Sequence, residues 1–300
     1  MLKLDALLAF VTTVEAGSIS EAGRRLQISK SIASDRVAEL ESNVGATLMR
    51  RSTRKLVLTE DGVAFLERAK RILREVTEAT AEVSERRGEL VGPLRISVPV
   101  SFGVLHLGPA LNSFLEANPR IELSVELDDR FVGATDGFDA ILRHSTLPED
   151  GWIARRIAPS RRILVASPHY LKANGTPRTT VELEGHRALI YSIRGASDWR
   201  FRQNGRWTVV RPVAAMRTNN GIVLRDAALH GVGIALLATF IVYDLLKAGE
   251  LRALNIGAEA EPATIFAAYP NDRRVSAKVL ALIAHLRATF GTPPYWEQDG

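Results

Sequence analysis

From Thr59 to Gly88 the positions Leu66, Ala69, Leu73, Val76, Thr80 and Val83 follow one another at steps of 3, 4, 3, 4 and 3, which lines them up along one side of an α-helix. Glu67, Arg68, Lys70, Arg71, Arg74, Glu75, Glu78, Glu82, Glu85 and Arg86 crowd the flanks, so a single stripe is left to seek a partner. A helix of about 28 residues is a rod of ~42 Å. The residues that precede it are too few to cover such a length. The spacing therefore predicts dimerisation through Leu66, Ala69, Leu73, Val76 and Val83, with packing on its own domain as the competing use of the same stripe. It also divides the chain into residues 1–58, a linker helix over 59–90, and a third region over 91–300 that opens at Gly92-Pro93, where helical spacing stops and strands begin.

The first part reads as short helices followed by a basic hairpin. Leu4, Leu7, Leu8, Val11 and Val14 lie at helical spacing and stop at Gly17, a left-handed cap. Ser18 with Glu21 forms a capping box for a second helix, and Ser29 caps a third. On that third helix Ala33, Val37, Leu40 and Val44 share one face and are expected in the core, while Ser31, Ser34, Asp35, Ala38 and Ser42 form a small, polar outer face. This is the layout of a helix-turn-helix, whose second helix enters the DNA major groove. Next comes Arg50-Arg51-Ser52-Thr53-Arg54-Lys55, cationic at four of six positions and flanked by strand-like residues. As a wing it would neutralise phosphates without reading sequence; a solvated basic loop has the same composition.

The third part alternates strands (94–98, 121–127, 140–143, 163–166, 188–191, 234–237, 264–269) with helices (102–118, 222–230, 276–290). Alternation of this kind predicts α/β layers on a largely parallel sheet. Ser101-Phe102-Gly103 and Asn219-Asn220-Gly221 each open a helix directly after a strand, where unpaired N–H groups attract anions and crevices form. Ser101, Asn219 and Asn220 are thus candidate ligand contacts, each also readable as an ordinary cap or turn residue. Phe102 and Trp199 are candidate apolar walls, or simply core. A second basic cluster, Arg155-Arg156 and Arg161-Arg162, reads as a solvated face or an oligomer contact.

Several functions are excluded or disfavoured. Cysteine is absent, so disulfides and thiolate chemistry are ruled out. His106, His144, His169, His186, His230 and His285 lack metal-ligand spacing, and no metal or cofactor is expected. The uncharged run 231–243 is too short to span a bilayer, and the N-terminus lacks a secretory h-region, which points to the cytoplasm. Ser101 sits in a strand-to-helix context like that of a serine hydrolase, but Val98-Pro99-Val100-Ser101-Phe102-Gly103 lacks the first glycine of a nucleophile elbow. A sequence-blind nucleoid protein would need more positive excess than the net charge of +5.

The segment with Phe10, Gly17-Ser18, Ala22, Leu26, Ser29, Ser34, Leu40-Glu41, Gly45, Leu48, Arg51, Arg54, Leu58-Thr59 and Gly62 resembles the winged helix-turn-helix of LysR-type transcriptional regulators. Pro93-Leu94-Arg95-Ile96, Arg155-Arg156, Ser167-Pro168, Asn219-Asn220-Gly221 and Gly231-Val232-Gly233-Ile234-Ala235 resemble that family's effector domain, in its CrgA-like branch. The departures are Gly23, Met49, Asp35 and Ala238. The resemblance implies a mainly α winged helix-turn-helix and a long linker helix, followed by a two-lobed, periplasmic-binding-protein-like α/β effector domain. Lobe I would comprise about 91–162 and 267–300, and lobe II about 163–266. Crossover strands would flank a cleft lined by Ser101, with Arg143 and His144 beside it. It further implies an operator DNA, a small-molecule effector, a dimer or tetramer of this chain, and RNA polymerase as a further partner. Lys30, Ser31, Ser34 and Asp35 are the expected base contacts, and Arg50, Arg51, Arg54 and Lys55 the expected backbone contacts. Asp35 can accept from the N4 amine of cytosine or pair with a neighbouring arginine.

Overall fold

Leu4 to Val14 fold as their spacing requires, into helix α1 (Leu4–Ala16), which stops at Gly17 in the left-handed region. Ser18 accepts from Glu21 N at 3.1 Å to open α2 (Ile19–Arg25), and Ser29 accepts from Ile32 N at 3.2 Å to open α3 (Lys30–Val44). The expected capping box is only half made. Glu21 turns its carboxylate to Arg24 and Arg25 instead, because charge-assisted partners stand one turn away. The computed structural model describes residues 2–51, 56–85, 88–129, 137–145, 152–192, 199–271 and 275–298, divided between two compact units, Met1–Glu89 and Leu90–Gly300.

In the first unit a hairpin of β1 (Met49–Arg51) and β2 (Leu56–Leu58), with Arg50 opposite Val57, leads to α4 (Glu60–Glu85). Ala33, Val37 and Leu40 are buried as expected, whereas Val44, the last residue of α3, stays 36% exposed because the chain leaves for the hairpin just beyond it. Two polar residues fasten the hairpin. Glu41 Oε1 accepts from Leu48 N at 2.7 Å and Met49 N at 3.1 Å. Thr59 Oγ1 donates to Thr47 O at 2.7 Å and accepts from Gly62 N at 3.0 Å, capping α4. Position 62 must be glycine, since a Cβ there would lie 1.9 Å from Leu48 O.

The stripe along α4 divides in two. Ala69 is fully buried and Leu66 and Leu73 pack beside it against Phe10, Leu7 and Leu40, so at these three positions the expected partner-helix seam is replaced by packing on the unit's own core. The reason is geometric: the first half of α4 lies against α1, as the Lys70–Glu15 ion pair at 3.1 Å also shows. Val76 and Val83 lie farther along and are 41% and 55% exposed.

The second unit runs in chain order β3 (Gly92–Val98), α5 (Val100–Phe102), a π-helical stretch Gly103–Leu107, α6 (Gly108–Ala117), β4 (Ile121–Leu127), β5 (Ala140–Ser145), β6 (Trp152–Pro159), β7 (Arg162–Ala166) and α7 (Pro168–Asn174). It continues with β8 (Arg187–Tyr191), β9 (Trp199–Gln203), β10 (Arg206–Val210), β11 (Val213–Thr218), α8 (Gly221–Leu229), β12 (Ile234–Ala238), α9 (Thr239–Lys247), β13 (Arg252–Leu254), β14 (Glu259–Ala260), β15 (Thr264–Pro270) and α10 (Ala277–Phe290). The helix expected over 102–118 is interrupted by the π stretch. Pro109 has no N–H to give to the carbonyl four residues earlier, so the helix widens ahead of it.

Two five-stranded sheets form the lobes, in the orders β4-β3-β5-β15-β6 and β11-β8-β12-β7-β13; a third, β10-β9-β14, flanks the second. Each large sheet holds a parallel trio, β4-β3-β5 and β11-β8-β12. The remaining strands run antiparallel, so the sheets are mixed and not largely parallel. The chain crosses between lobes in two short links, 160–161 and 261–263. The strands that enter each lobe across these links, β7 and β15, are the ones that pair antiparallel, with β12 and β13 and with β5 and β6. One continuous core joins Leu94, Ile96, Val98 and Leu142 of the first sheet to Val165, Leu189, Ala235 and Leu237 of the second.

Candidate functional site

The outer face of α3 presents Lys30, Ser31, Asp35, Ala38 and Ser42 exposed and Ser34 half-buried, spread over roughly 140° at 100° per residue. Ser31 shares a 2.8 Å hydrogen bond with the capping Ser29. Asp35 has no hydrogen bond or ion pair among the described residues, and the adjacent Arg36 is held at 2.9 Å by Asp5. The ion-pair alternative for Asp35 therefore finds no partner, and the carboxylate stands outward on a face otherwise made of a lysine, serines and an alanine. Ile32 is 45% exposed on the edge of this face. Its signal was present in the sequence, as the one large aliphatic residue of α3 out of phase with the core positions. On the hairpin Arg50 is exposed and Arg51 closes β1, while Arg54 and Lys55 lie outside the described residues.

In the second unit the carboxyl ends of both parallel trios meet across the lobes. Ser101 is 5% exposed, and its Oγ lies so near Gly221 that a Cβ there would stand 3.2 Å from it and 2.6 Å from Ile241 Cδ1. Ser101, from the first lobe, and the start of α8, from the second, are therefore in close approach, as expected of two walls of one cleft. Asp129 follows β4 and accepts from Val100 N at 3.1 Å; burial pushes its carboxyl above the usual range. Tyr191 ends β8. Burial raises its phenol, and Asp129, Arg162 and Arg143 are all within electrostatic reach of it.

The remaining expected residues take quieter parts. The Asn220 side chain accepts from Ile222 N at 2.9 Å and Val223 N at 3.2 Å, so it caps α8. With Asp129 on Val100 N, both helix N-termini proposed for anions are occupied by the protein's own oxygens. Phe102 is fully buried in edge-to-face contact with Phe240, Phe290 and Trp296, and Trp199 is 2% exposed in the core between the second and third sheets. Both are core and not walls, since each faces into a packed layer. Arg143 is buried and donates to Ser97 Oγ at 3.0 Å and to Ser97 O at 3.3 Å, tying β5 to β3. His144 Nε2 meets Ser160 O at 3.3 Å, its ring is edge-on to Phe240, and burial beside Arg162 pushes its pKa down to about 4.

Ser101 Oγ, Tyr191 Oη, Asn219 and the Arg162 guanidinium make no hydrogen bond among the described residues. Sequence reasoning missed Asp129, Tyr191 and Arg162. Only Tyr191, at the end of a strand, carried a positional signal. Arg161 and Arg162 read as one solvated pair, yet Arg161 is exposed and bound to Glu297 at 2.6 Å while Arg162 is half-buried. Among the described residues Asp129, on Val100 N, is an acidic group beside Ser101, and no hydrogen bond joins it to Ser101 Oγ. His106 spends both ring nitrogens, on Tyr295 Oη and on Phe240 O at 2.7 Å. Among the described residues no group of three His, Asp or Glu could hold a metal ion, and no helix is long and apolar enough to cross a membrane.

Comparison with known proteins bears on both units. Residues 4–63 match the family described as bacterial regulatory helix-turn-helix protein, lysR family, and residues 87–291 match the LysR substrate binding domain. An uncharacterized HTH-type transcriptional regulator of Haemophilus influenzae is 32% identical over 93% of this chain and 98% of its own. The HTH-type transcriptional regulator CrgA of Neisseria meningitidis serogroup C is 31% identical over 96% of this chain and 97% of its own. The full-length structure of the Vibrio cholerae virulence activator AphB, a member of the LTTR protein family, superposes with a TM-score of 0.61 at 27% identity, covering 95% of this chain and 99% of that one.

Proposed function

The chain belongs to the LysR family of transcriptional regulators, and from that premise we propose that it reads an operator through α3 and the β1–β2 hairpin and answers to a small molecule held between its two α/β lobes. The observation that carries the reading is the outward face of α3, where Lys30, Ser31, Ser34 and Asp35 stand clear of the core beside a cationic hairpin pinned by Glu41 and Thr59. Side chains with distinct donor and acceptor patterns discriminate base pairs in the major groove. Arg50, Arg51, Arg54 and Lys55 supply phosphate contacts that set affinity and its salt dependence.

Val76 and Val83, left uncovered along α4, support pairing with a second copy, so the operator is an interrupted inverted repeat. Two such dimers make the working tetramer, and it acts in the cytoplasm on promoters served by RNA polymerase. In keeping with the family, the unit with the cleft serves as a sensor and not as an enzyme. Ser101 and Asn219 are the effector contacts that keep free polar groups. For the effector to regulate, it must bind one arrangement of the protein more tightly than another.

A footprint of the purified chain on the intergenic DNA upstream of its own gene, with unrelated competitor DNA present, tests the reading. A protected inverted repeat that survives competitor supports it. Protection that spreads evenly and vanishes with competitor refutes sequence-specific regulation.

A further inference from the structure

Arg162 opens β7 at the carboxyl edge of the second sheet. Antiparallel pairing sets Ala238, the last residue of β12, opposite it, and Leu237 opposite Ile163. Tyr191 ends β8, the neighbour of β12 on its other side, and Thr218-Asn219 end β11 beyond it. The second lobe thus offers the cleft a row of strand ends carrying Arg162, Tyr191 and Asn219.

Arg162 is half-buried and forms no hydrogen bond or ion pair among the described residues. Glu261, within electrostatic reach of it, is paired with Arg200 at 3.5 Å, and His144, also within reach, is neutral near pH 7. None of its nitrogens is among the buried atoms left without a partner, so the fork still meets solvent and is open to a planar anion. Tyr191 Oη is likewise without a hydrogen bond among the described residues.

We propose that Arg162 and Tyr191 form an anion subsite of the cleft and that the effector is a carboxylic acid, its carboxylate taken by the planar guanidinium fork with the phenol as a third donor. The fork matches two coplanar oxygens, which favours a carboxylate over a tetrahedral anion. The Asp129 carboxylate on the opposite wall, held on Val100 N, turns the anionic end toward the second lobe by repulsion. This assignment rests on the cleft being the effector site.

The test uses the full chain, with thermal unfolding of the second unit followed by tryptophan fluorescence, since Trp152, Trp199, Trp207 and Trp296 all lie there. The probes are acetate and benzoate against acetamide and benzamide, at constant ionic strength. A carboxylate at ten times its Kd raises the midpoint by roughly 3–5 °C, and its amide does not. Arg162→Met abolishes that rise. Arg162→Lys keeps the charge but not the fork and retains less than half of the rise.

Equal response to acids and amides, or a full rise in either Arg162 variant, overturns the assignment. Footprinting on the same preparations separates the two failures. Specific operator binding without a carboxylate effect defeats only the subsite, and lost operator specificity defeats the regulatory reading while a carboxylate effect still stands.

Discussion

Removing the Glu41 carboxylate should loosen the hairpin from the recognition helix. Its Oε1 accepts from Leu48 N at 2.7 Å and Met49 N at 3.1 Å, and Leu48 and Met49 are 0% and 5% exposed. Glu41→Ala leaves both amides without an acceptor in a site that water reaches poorly. At ~1–3 kcal/mol for each orphaned buried group, with some water entering the space left by the side chain, the loss is about 2–4 kcal/mol. Glu41→Gln keeps an oxygen in place and forfeits only the charge assistance, about 1 kcal/mol. With a urea slope of ~1.5 kcal/mol/M, the alanine variant unfolds about 2 M earlier.

Because no tryptophan lies in Met1–Glu89, one urea titration reports on both units. Circular dichroism follows the helices of the first unit together with the second, and tryptophan fluorescence follows the second alone. The dichroism should split into an early phase in Glu41→Ala while the fluorescence midpoint stays put. An alanine variant that unfolds with the glutamine variant, or one that moves the fluorescence midpoint as far as the dichroism, refutes the reasoning.

Three further outcomes are expected. His144 is held neutral by burial, with its pKa at about 4 against 6.5 when free, so the unfolded chain takes up the proton first and stability falls as pH drops from 6.5 toward 4. At pH 5 the loss is about 2 kcal/mol, seen as a fluorescence midpoint that drops more in the wild type than in His144→Gln; parallel pH profiles would remove His144 as the cause. Asp35→Ala should relax base preference at one position of each half-site, scored by selection from randomised operators, and an unchanged preference at every position counts against base reading. Val76→Glu with Val83→Glu should shift sedimentation toward the monomer at unchanged helicity, whereas Leu73→Ala should instead lower the stability of the first unit by ~2–4 kcal/mol.

The first unit was legible because its signals are local. Ser18, Ser29 and Thr59 cap the helices they precede, and Gly17 and Gly45 end the ones they follow. Sequence periodicity could not show where α4 leaves the shelter of α1, so it treated Leu73 and Val76 alike. In the second unit the strands were placed by alternation, but their direction was not, because it depends on where the chain changes lobes. The cleft was the least legible part. Phe102 and Trp199 have the composition of pocket walls, and only burial distinguishes a wall from a core. Arg162 was hidden by its neighbour: Arg161 lies in the link between lobes, exposed and bound to Glu297, while Arg162 opens β7 and is half-buried.

The place of β15 in the first sheet sets an order on synthesis. This strand lies between β5 and β6, yet it follows β6 in the chain by about a hundred residues. At ~5–20 residues per second, a nascent chain waits roughly 5–20 s after β6 is made before the strand that joins it to β5 exists. The head, complete long before, can fold on the ribosome during that interval. A message cut short before residue 264 would therefore yield a DNA-reading head attached to a sensor that never closes, a product able to occupy an operator but deaf to the effector.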